Sequence, residues 1–266
     1  MKEQLWQNIL YVRKNSPLVH NITNYVVMNN TANALLASGA SPIMAHAHEE
    51  VKSVVAISSA LVINIGTLDN YWAESMLLAA EQANDLGKPW ILDPVGAGAT
   101  AYRNEVLAKL IMLKPDVIRG NASEIMSLAN HNISGTKGVD SIHQSSEAIS
   151  AAKSLHEHTG SIICVSGATD IILGNGQKVL IANGNPLMGK VTGLGCTASA
   201  LIGAFIGTIP DKLEATVSAM ALLGIAGEIA AENAAGPTSL QLQLIDKLYN
   251  ISETEFYQLL KIEIGS

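Results

Sequence analysis

The chain has 266 residues, of which 48% are hydrophobic and 15% are charged, and its net charge is −7. This length suits one sizeable core, and we predict a single domain over residues 1–266. The negative charge excludes a general nucleic-acid surface, because binding to a phosphate backbone depends on clustered Lys and Arg. So few charged residues leave little polar surface to keep a monomer soluble, and we expect subunits to associate.

We predict no membrane segment and no export signal. The N-terminal stretch lacks an uninterrupted apolar core and a small-residue cleavage site, and we interpret it as an amphipathic helix. The most apolar stretch, Ala215 to Ala231, contains Glu228 and many small residues, which is typical of a core helix. Cys164 and Cys196 lie in different contexts and predict neither a disulfide framework nor a zinc site. A reducing, cytoplasmic compartment is therefore expected.

The next stretch of the chain is rich in amides. We predict a helix from Tyr25 to Ser38, ended by Gly39, after a polar segment that contains Asn21 and Asn24. These asparagines either fix a polar ligand or cap and bind the backbone, and the sequence alone leaves both open.

A short apolar segment with a polar turn follows, over residues 39–50. Met44 in this segment either fills the core or contacts an aromatic or sulfur-containing ligand, because its side chain is soft and adaptable. His46 and His48 are two residues apart with no third ligand nearby, so we do not predict a metal site there.

From residue 61 onward, short apolar runs alternate with helical segments. The runs cover 61–66, 90–95, 116–121 and 161–167, and the helical segments lie at 70–87, 101–113, 122–130 and 145–158. This alternation predicts an α/β fold with three layers, in which helices cover both faces of a mostly parallel sheet. Two further runs, 170–174 and 178–182, predict an antiparallel hairpin at the sheet edge. We expect residues 132–144 to form a mobile insertion, and everything after residue 196 to be helical.

Each predicted strand ends on a polar or glycine-bearing tip, and ligands of parallel sheets bind beyond those ends. The candidate site residues on these tips are Asn64, Asp93, Arg119, Asn121 and Ser166. Arg119 at the end of a buried strand needs an anionic partner, which a nucleotide phosphate supplies. Asp93 and Glu124 offer oxygen ligands of the kind that Mg²⁺ prefers. Two structural alternatives remain, because Asp before Pro forms turns and Glu124 stands at the capping-box spacing from Asn121.

A glycine turn opens directly into the helical segment that runs to Phe205. The backbone N–H groups of its first residues have no partner inside the helix, and the turn therefore predicts an anion site at Gly193, Leu194, Gly195 and Cys196. The same Gly-x-Gly pattern also occurs as a plain tight connection. Combined with Arg119 and the acid pair, it favours phosphoryl transfer from a nucleotide. The chain contains no P-loop motif and no dinucleotide-binding glycine motif.

Five motifs, distributed over nearly the whole chain, resemble the hydroxyethylthiazole kinase family. They are Asp-Pro-Val-Gly-Ala-Gly-Ala-Thr (93–100), Arg-Gly-Asn-Ala-Ser-Glu (119–124), Val-Thr-Gly-Leu-Gly-Cys (191–196), His-Asn-Ile-Thr-Asn (20–24) and Gly-Ala-Ser-Pro-Ile-Met (39–44). The resemblance implies a ribokinase-like fold and the ATP- and Mg²⁺-dependent phosphorylation of 4-methyl-5-(2-hydroxyethyl)thiazole in thiamine salvage. It also implies a homotrimer with active sites between subunits.

The resemblance implies three groups of site residues. Those expected around the thiazole are Met44, Gly193, Asn24 and Val26. Those expected around ATP are Arg119, Ser166, Thr192 and Asn121. Those expected to organise Mg²⁺ are Asp93 and Glu124.

Cys196 stands where sugar kinases of the implied fold carry an Asp that acts as the base. Because the thiol begins a helix, we expect its pKa to fall below about 8.5. A loose transition state asks little of a base, so we expect Cys196 to position the hydroxyl and not to act as a covalent nucleophile. Two rival functions stay open: a kinase for another heterocyclic alcohol, such as hydroxymethylpyrimidine, and a nucleotide-binding sensor without turnover.

Overall fold

A computed structural model of the chain describes residues 1–134 and 144–265, with side chains described to residue 132 and again from residue 146. The insertion predicted at residues 132–144 falls almost entirely outside the described residues.

The strands of the described residues form one sheet, in the order β2-β1-β3-β4-β5-β6-β7-β8-β9. They are β1 Leu18–Ile22, β2 Ser41–Ile43, β3 Ala60–Asn64, β4 Trp90–Asp93, β5 Val117–Asn121, β6 Ile162–Ser166, β7 Asp170–Gly174, β8 Gln177–Ile181 and β9 Ile262–Gly265. Strands β1 to β6 are parallel to their neighbours, whereas β6 to β9 pair antiparallel. The carboxyl ends of the six parallel strands therefore share one edge of the sheet.

Helices connect and cover these strands. They are α1 Lys2–Asn15, α2 Met28–Ser38, α3 Val51–Ile57, α4 Asn70–Asp85, α5 Ala101–Met112, α6 Ala122–Ala129, α7 Gln144–Thr159, α8 Leu194–Ile206, α9 Lys212–Glu232, α10 Pro237–Asn250 and α11 Glu253–Leu259. A π-helical turn follows α6 at Asn130–Ser134, and a 3-10 turn precedes the glycine loop at Pro186–Lys190.

Alternate strand residues enter two separate cores. Val62 and Ile91 pack in the core beneath α1, α2 and α8 to α11, whereas Leu61, Ile63 and Leu92 pack in the core beneath α3 to α7. Because both faces of the parallel strands are covered, their residues are almost all buried, as the continuous apolar runs predict. The three-layer α/β prediction is confirmed.

Helix α9 is the most apolar long helix among the described residues. It has the length and mean hydropathy of a membrane span, but 83% of its most apolar window is buried inside the protein. It packs against α8 and α10 as a core helix, which agrees with the interpretation of residues 215–231.

Two local predictions are corrected, and one strand was missed. The chain after Cys196 is not all helical, because β9 pairs with β8 and forms the sheet edge beyond the predicted hairpin. The helix predicted to begin at Tyr25 begins at Met28, since residues 25–27 form a turn closed by Val27 N–H on the Asn24 carbonyl. Strand β1 was not predicted, because buried His20 and Asn21 interrupt its apolar pattern.

Candidate active site

Polar residues from the parallel strands meet at one edge of the sheet. Asn64 pairs in register with Asp93, and Asn121 pairs with Ser166. The parallel strand order thus brings the predicted tip residues together, as expected for this class of sheet.

Asp93 is completely buried at the centre of this edge. Its Oδ2 accepts hydrogen bonds from Asn64 Nδ2 at 2.7 Å and from Ser199 Oγ at 2.8 Å, while Oδ1 has no hydrogen-bond partner in the described residues. Burial raises the pKa of Asp93 to about 6, and the positive charge of Arg119 opposes that rise. A carboxylate oxygen held in place and left without a partner is suited to a cation.

Arg119, which is on β5, lies next to Asp93. Its Nη2 donates to Ser166 Oγ at 2.6 Å, and its Nη1 lies 3.9 Å from Asp93 Oδ2. The guanidinium also approaches the start of α8 so closely that a Cβ at Gly195 would lie 2.6 Å from Nη1. A side chain at position 195 would therefore displace the guanidinium from its place beside Asp93 and Ser166.

The glycine turn begins α8 in a left-handed conformation. Gly193 has φ 84°, and a Cβ there would lie 2.5 Å from Val27 Cγ1. The N–H of Thr197 makes the first intrahelical bond of the turn, to the Gly193 carbonyl at 2.9 Å. The amides of residues 194–196 precede that bond and form the positive end of the helix.

Cys196 is held by a buried amide. Asn24 Nδ2 lies 3.4 Å from Cys196 Sγ and also donates to Asn64 Oδ1 at 2.9 Å, so hydrogen bonds connect the thiol to Asp93 through two asparagines. Burial raises the pKa of Cys196 to about 11, and the negative charge of Asp93 adds to the rise. The expected lowering of this pKa is wrong in direction, because desolvation and the charge of Asp93 outweigh the hydrogen bonds of Asn24 and Asn64 and the charge of Arg119.

Glu124 forms the capping box that the sequence offered as an alternative. Its Oε2 accepts from the Asn121 N–H at 2.9 Å, while Asn121 Oδ1 accepts from the Glu124 N–H at 2.9 Å. The other oxygen, Oε1, accepts from the Gly96 N–H at 3.1 Å. Glu124 thus ties the turn after β5 to the glycine turn after β4.

Three of the four residues expected around the thiazole follow β1 and β2, whereas the fourth, Gly193, belongs to the glycine turn. Asn24 is buried, Met44 is half-buried directly after β2, and Val26 is 67% exposed. Beyond them, His46 packs on the Trp72 ring at a centroid distance of 4.4 Å. The expectation that the two histidines here form no metal site stays a prediction.

A cavity of about 690 Å³ opens between the glycine turn and the antiparallel strands. Arg119, Ser166, Gly193 and Gly195 line it, so the predicted nucleotide residues and the anion turn share one space. Two expected ATP residues do not line the cavity. Thr192 lies between the lining residues Val191 and Gly193 in sequence but is exposed, and Asn121 is exposed as the cap of α6.

Sequence reasoning missed three polar residues at this site. Ser199 is completely buried in α8, three residues after Cys196, and its only sequence signal is a hydroxyl in an apolar helix. Asp170 begins β7 and lines the cavity. Arg103 donates to the carbonyls of Ile65 at 2.6 Å, Val95 at 2.8 Å and Gly66 at 2.8 Å, and so clamps the turns after β3 and β4 together.

Comparison with known proteins places the chain in a family. The model of the "Hydroxyethylthiazole kinase family" matches residues 9–254. A hydroxyethylthiazole kinase of Syntrophus aciditrophicus is 52% identical over 99% of this chain and 98% of its own, and one of Leptospira biflexa is 54% identical over 92% of each chain.

Solved structures agree with this comparison. The hydroxyethylthiazole kinase protein of Pyrococcus horikoshii OT3 superposes with a TM-score of 0.92 at 42% identity over 100% of both chains. A ribokinase-like superfamily protein of Enterococcus faecalis V583 shares the fold, with a TM-score of 0.67 at 15% identity over 89% of this chain and 88% of its own. This chain has the ribokinase-like fold and belongs to the hydroxyethylthiazole kinase family.

Proposed function

We propose that this protein transfers a phosphoryl group from ATP to the hydroxyl of 4-methyl-5-(2-hydroxyethyl)thiazole, in a Mg²⁺-dependent step of thiamine salvage. The observation that carries the proposal is the glycine turn before α8, which faces the Arg119 cavity and lies beside Asn24 and Cys196. Membership of the hydroxyethylthiazole kinase family supports the thiazole as the acceptor.

The phosphates of ATP would bind between Arg119 and the start of α8. The amides of Gly193, Leu194, Gly195 and Cys196 would stabilise the charge on the transferred group, and Arg119 and Ser166 would hold the donor chain. Thr192 and Asn121, both exposed, would contact the nucleotide from the rim.

Asp93 fits a ligand of Mg²⁺, because its buried Oδ1 has no partner in the described residues and Asn64 and Ser199 fix the carboxylate through Oδ2. Glu124 would support the metal indirectly, since backbone amides already occupy both of its carboxylate oxygens. When bound, Mg²⁺ supplies positive charge against the donor phosphates.

Cys196 would position the acceptor hydroxyl as a neutral thiol. With a pKa of about 11, the thiol stays protonated at neutral pH and is not a ready base. A loose transition state does not require early removal of the alcohol proton, so orientation by Asn24 and Cys196 suffices. Turnover in Cys196→Ala should fall modestly, whereas complete loss in a folded variant would contradict this role.

The thiazole would lie among Met44, Asn24, Val26 and Gly193. Tyr25 and Val26 are 59% and 67% exposed, so the outer wall of such a pocket would be uncovered in one subunit. We propose a single-domain, cytoplasmic homotrimer in which a neighbouring subunit completes this wall.

The test is ADP release by the purified protein with a panel of thiazole and pyrimidine alcohols, with the product identified by mass spectrometry. Phosphorylation of the thiazole alcohol over the pyrimidine alcohol supports the proposal. Preference for hydroxymethylpyrimidine would assign the other substrate. ADP release that no alcohol stimulates would instead indicate a nucleotide-binding sensor.

A further inference from the structure

Asp170 is a buried acid in the cavity that no step described so far uses. It is 7% exposed, and it lines the cavity at the start of β7. Its Oδ1 accepts from the Gly167 N–H at 3.0 Å, which closes the turn between β6 and β7. No described residue bonds to Oδ2.

Oδ2 is not fully buried and keeps access to the cavity that the residue lines. Burial of the residue raises the pKa of Asp170 to about 6, whereas the bond from the Gly167 N–H and the positive charge of Arg119 oppose the rise. The turn needs only one acceptor oxygen, which an asparagine would supply equally well. A buried charge that the local structure does not require is a candidate for contact with a ligand.

The order of strands shows which part of a nucleotide lies at Asp170. Arg119 is on β5, its partner Ser166 on β6, and Asp170 on β7, with adjacent strands about 4.8 Å apart. The phosphate residues therefore lie on one side of Asp170. A carboxylate repels phosphate, whereas a neutral hydrogen-bond donor on the same ligand suits it.

The part of the cavity nearer α9, β7 and β8 carries apolar side chains. Met188, Met220 and Leu223 line it, and Met188 packs against α9 so closely that a Cβ at Gly227 would lie 2.3 Å from its sulfur. A nucleobase fits such a wall through stacking and burial. Asp170 thus stands between the phosphate end and the base end, where the sugar of the donor lies.

We propose that Asp170 Oδ2 accepts a hydrogen bond from a ribose hydroxyl of the phosphoryl donor, so that Asp170 selects ribonucleotides over deoxyribonucleotides. This inference rests on the proposed use of the cavity by ATP, but not on the identity of the alcohol. It gives the cavity a recognition element for the sugar, distinct from the residues that hold the phosphates.

The test measures dissociation constants by calorimetry for ADP, 2′-deoxy-ADP and 3′-deoxy-ADP, and therefore does not depend on turnover. In the wild type, loss of the bonded hydroxyl should weaken binding about tenfold or more, because the acceptor is charged. Asp170→Asn keeps the bond to the Gly167 N–H. In this variant, the ratio of the dissociation constants for the deoxynucleotide and for ADP should fall to about threefold. Asp170→Ala should bind all three nucleotides within about twofold of one another.

Asp69→Asn is the control for the loss of an acid elsewhere in the chain, because Asn caps α4 as well as Asp does. The wild-type ratios of dissociation constants should persist in this variant. Equal binding of the three nucleotides by the wild type would overturn the proposal. An undiminished ratio in Asp170→Asn, the variant that preserves the turn, would also overturn it. A wild-type protein that discriminates between the sugars but phosphorylates no thiazole alcohol would contradict the proposed function and leave the role of Asp170 standing.

Discussion

Replacement of Asp93 by Asn should stabilise the folded protein relative to the wild type, and this advantage should grow as the pH rises. Asp93 has an ordinary pKa of 3.8 and a pKa of about 6 in the folded chain. Between these values the folded state holds a proton that the unfolded state has lost, so wild-type stability falls as the pH rises. Above about pH 7 the full cost of burying the carboxylate, about 3 kcal/mol, is present.

The amide in Asp93→Asn carries no charge and can accept from Asn64 and Ser199 as the carboxylate does. The difference in unfolding free energy, variant minus wild type, should therefore grow by about 2 kcal/mol between pH 4.5 and 7.5. Urea unfolding followed by circular dichroism measures this difference. The buffer should contain EDTA, because Mg²⁺ bound to the carboxylate would favour its charged form.

Asp211→Asn is the matched control. Asp211 is exposed and caps α9 through the Leu213 and Glu214 N–H groups, where Asn is an equally good cap. Because this carboxylate is exposed, its replacement removes no buried charge, and the variant should not reproduce the change seen with Asp93→Asn. A difference for Asp93→Asn that does not change with pH, or that shrinks as pH rises, would refute the reasoning.

Three further changes test the site. Gly195→Ala should raise the KM for ATP at least tenfold, because the new methyl group displaces the Arg119 guanidinium. The control Gly189→Ala, whose Cβ would have nothing within 4 Å, should leave this KM unchanged. Equal KM values for the two variants would contradict the geometry. Arg103→Gln should lower the unfolding free energy by about 2 kcal/mol through its lost carbonyl bonds, and urea unfolding checks this; unchanged stability would exclude the clamp. Alkylation of Cys196 by iodoacetamide should be slow at pH 7.5 and rise up to about pH 11, as mass spectrometry would show; a plateau near pH 8 would exclude the raised pKa.

The strand-and-helix order was predictable because parallel strands buried on both faces leave long apolar runs. The ends of the same runs predicted which polar residues follow the strands. Four of these residues do share one edge of the sheet: Asn64, Asp93, Arg119 and Ser166. Strand β9 escaped prediction because four residues near the end of the chain carry too little pattern to distinguish a strand from a loop.

The missed site residues share a physical reason. Ser199 lies far along the chain from Asp93, and Arg103 lies far from two of its three carbonyl partners, so nothing local distinguishes them from ordinary helix residues. The direction of the Cys196 pKa was misjudged because the glycine turn indicates the start of a helix but not how deeply the thiol is buried. Local pattern predicts where a side chain lies in an element, whereas its solvation depends on what packs over it.

The contact between Gly193 and Val27 limits how this protein can change its substrate. Val27 follows directly on the residues expected to line the alcohol pocket, and its Cγ1 occupies the space where a side chain at position 193 would begin. If the site is used as proposed, a mutation that reshapes residues 25–27 for a larger alcohol also alters the support of the turn that would meet the phosphates. Acceptor range and rate of transfer would then be linked through the close approach of Val27 to Gly193, and selection on either would act on both.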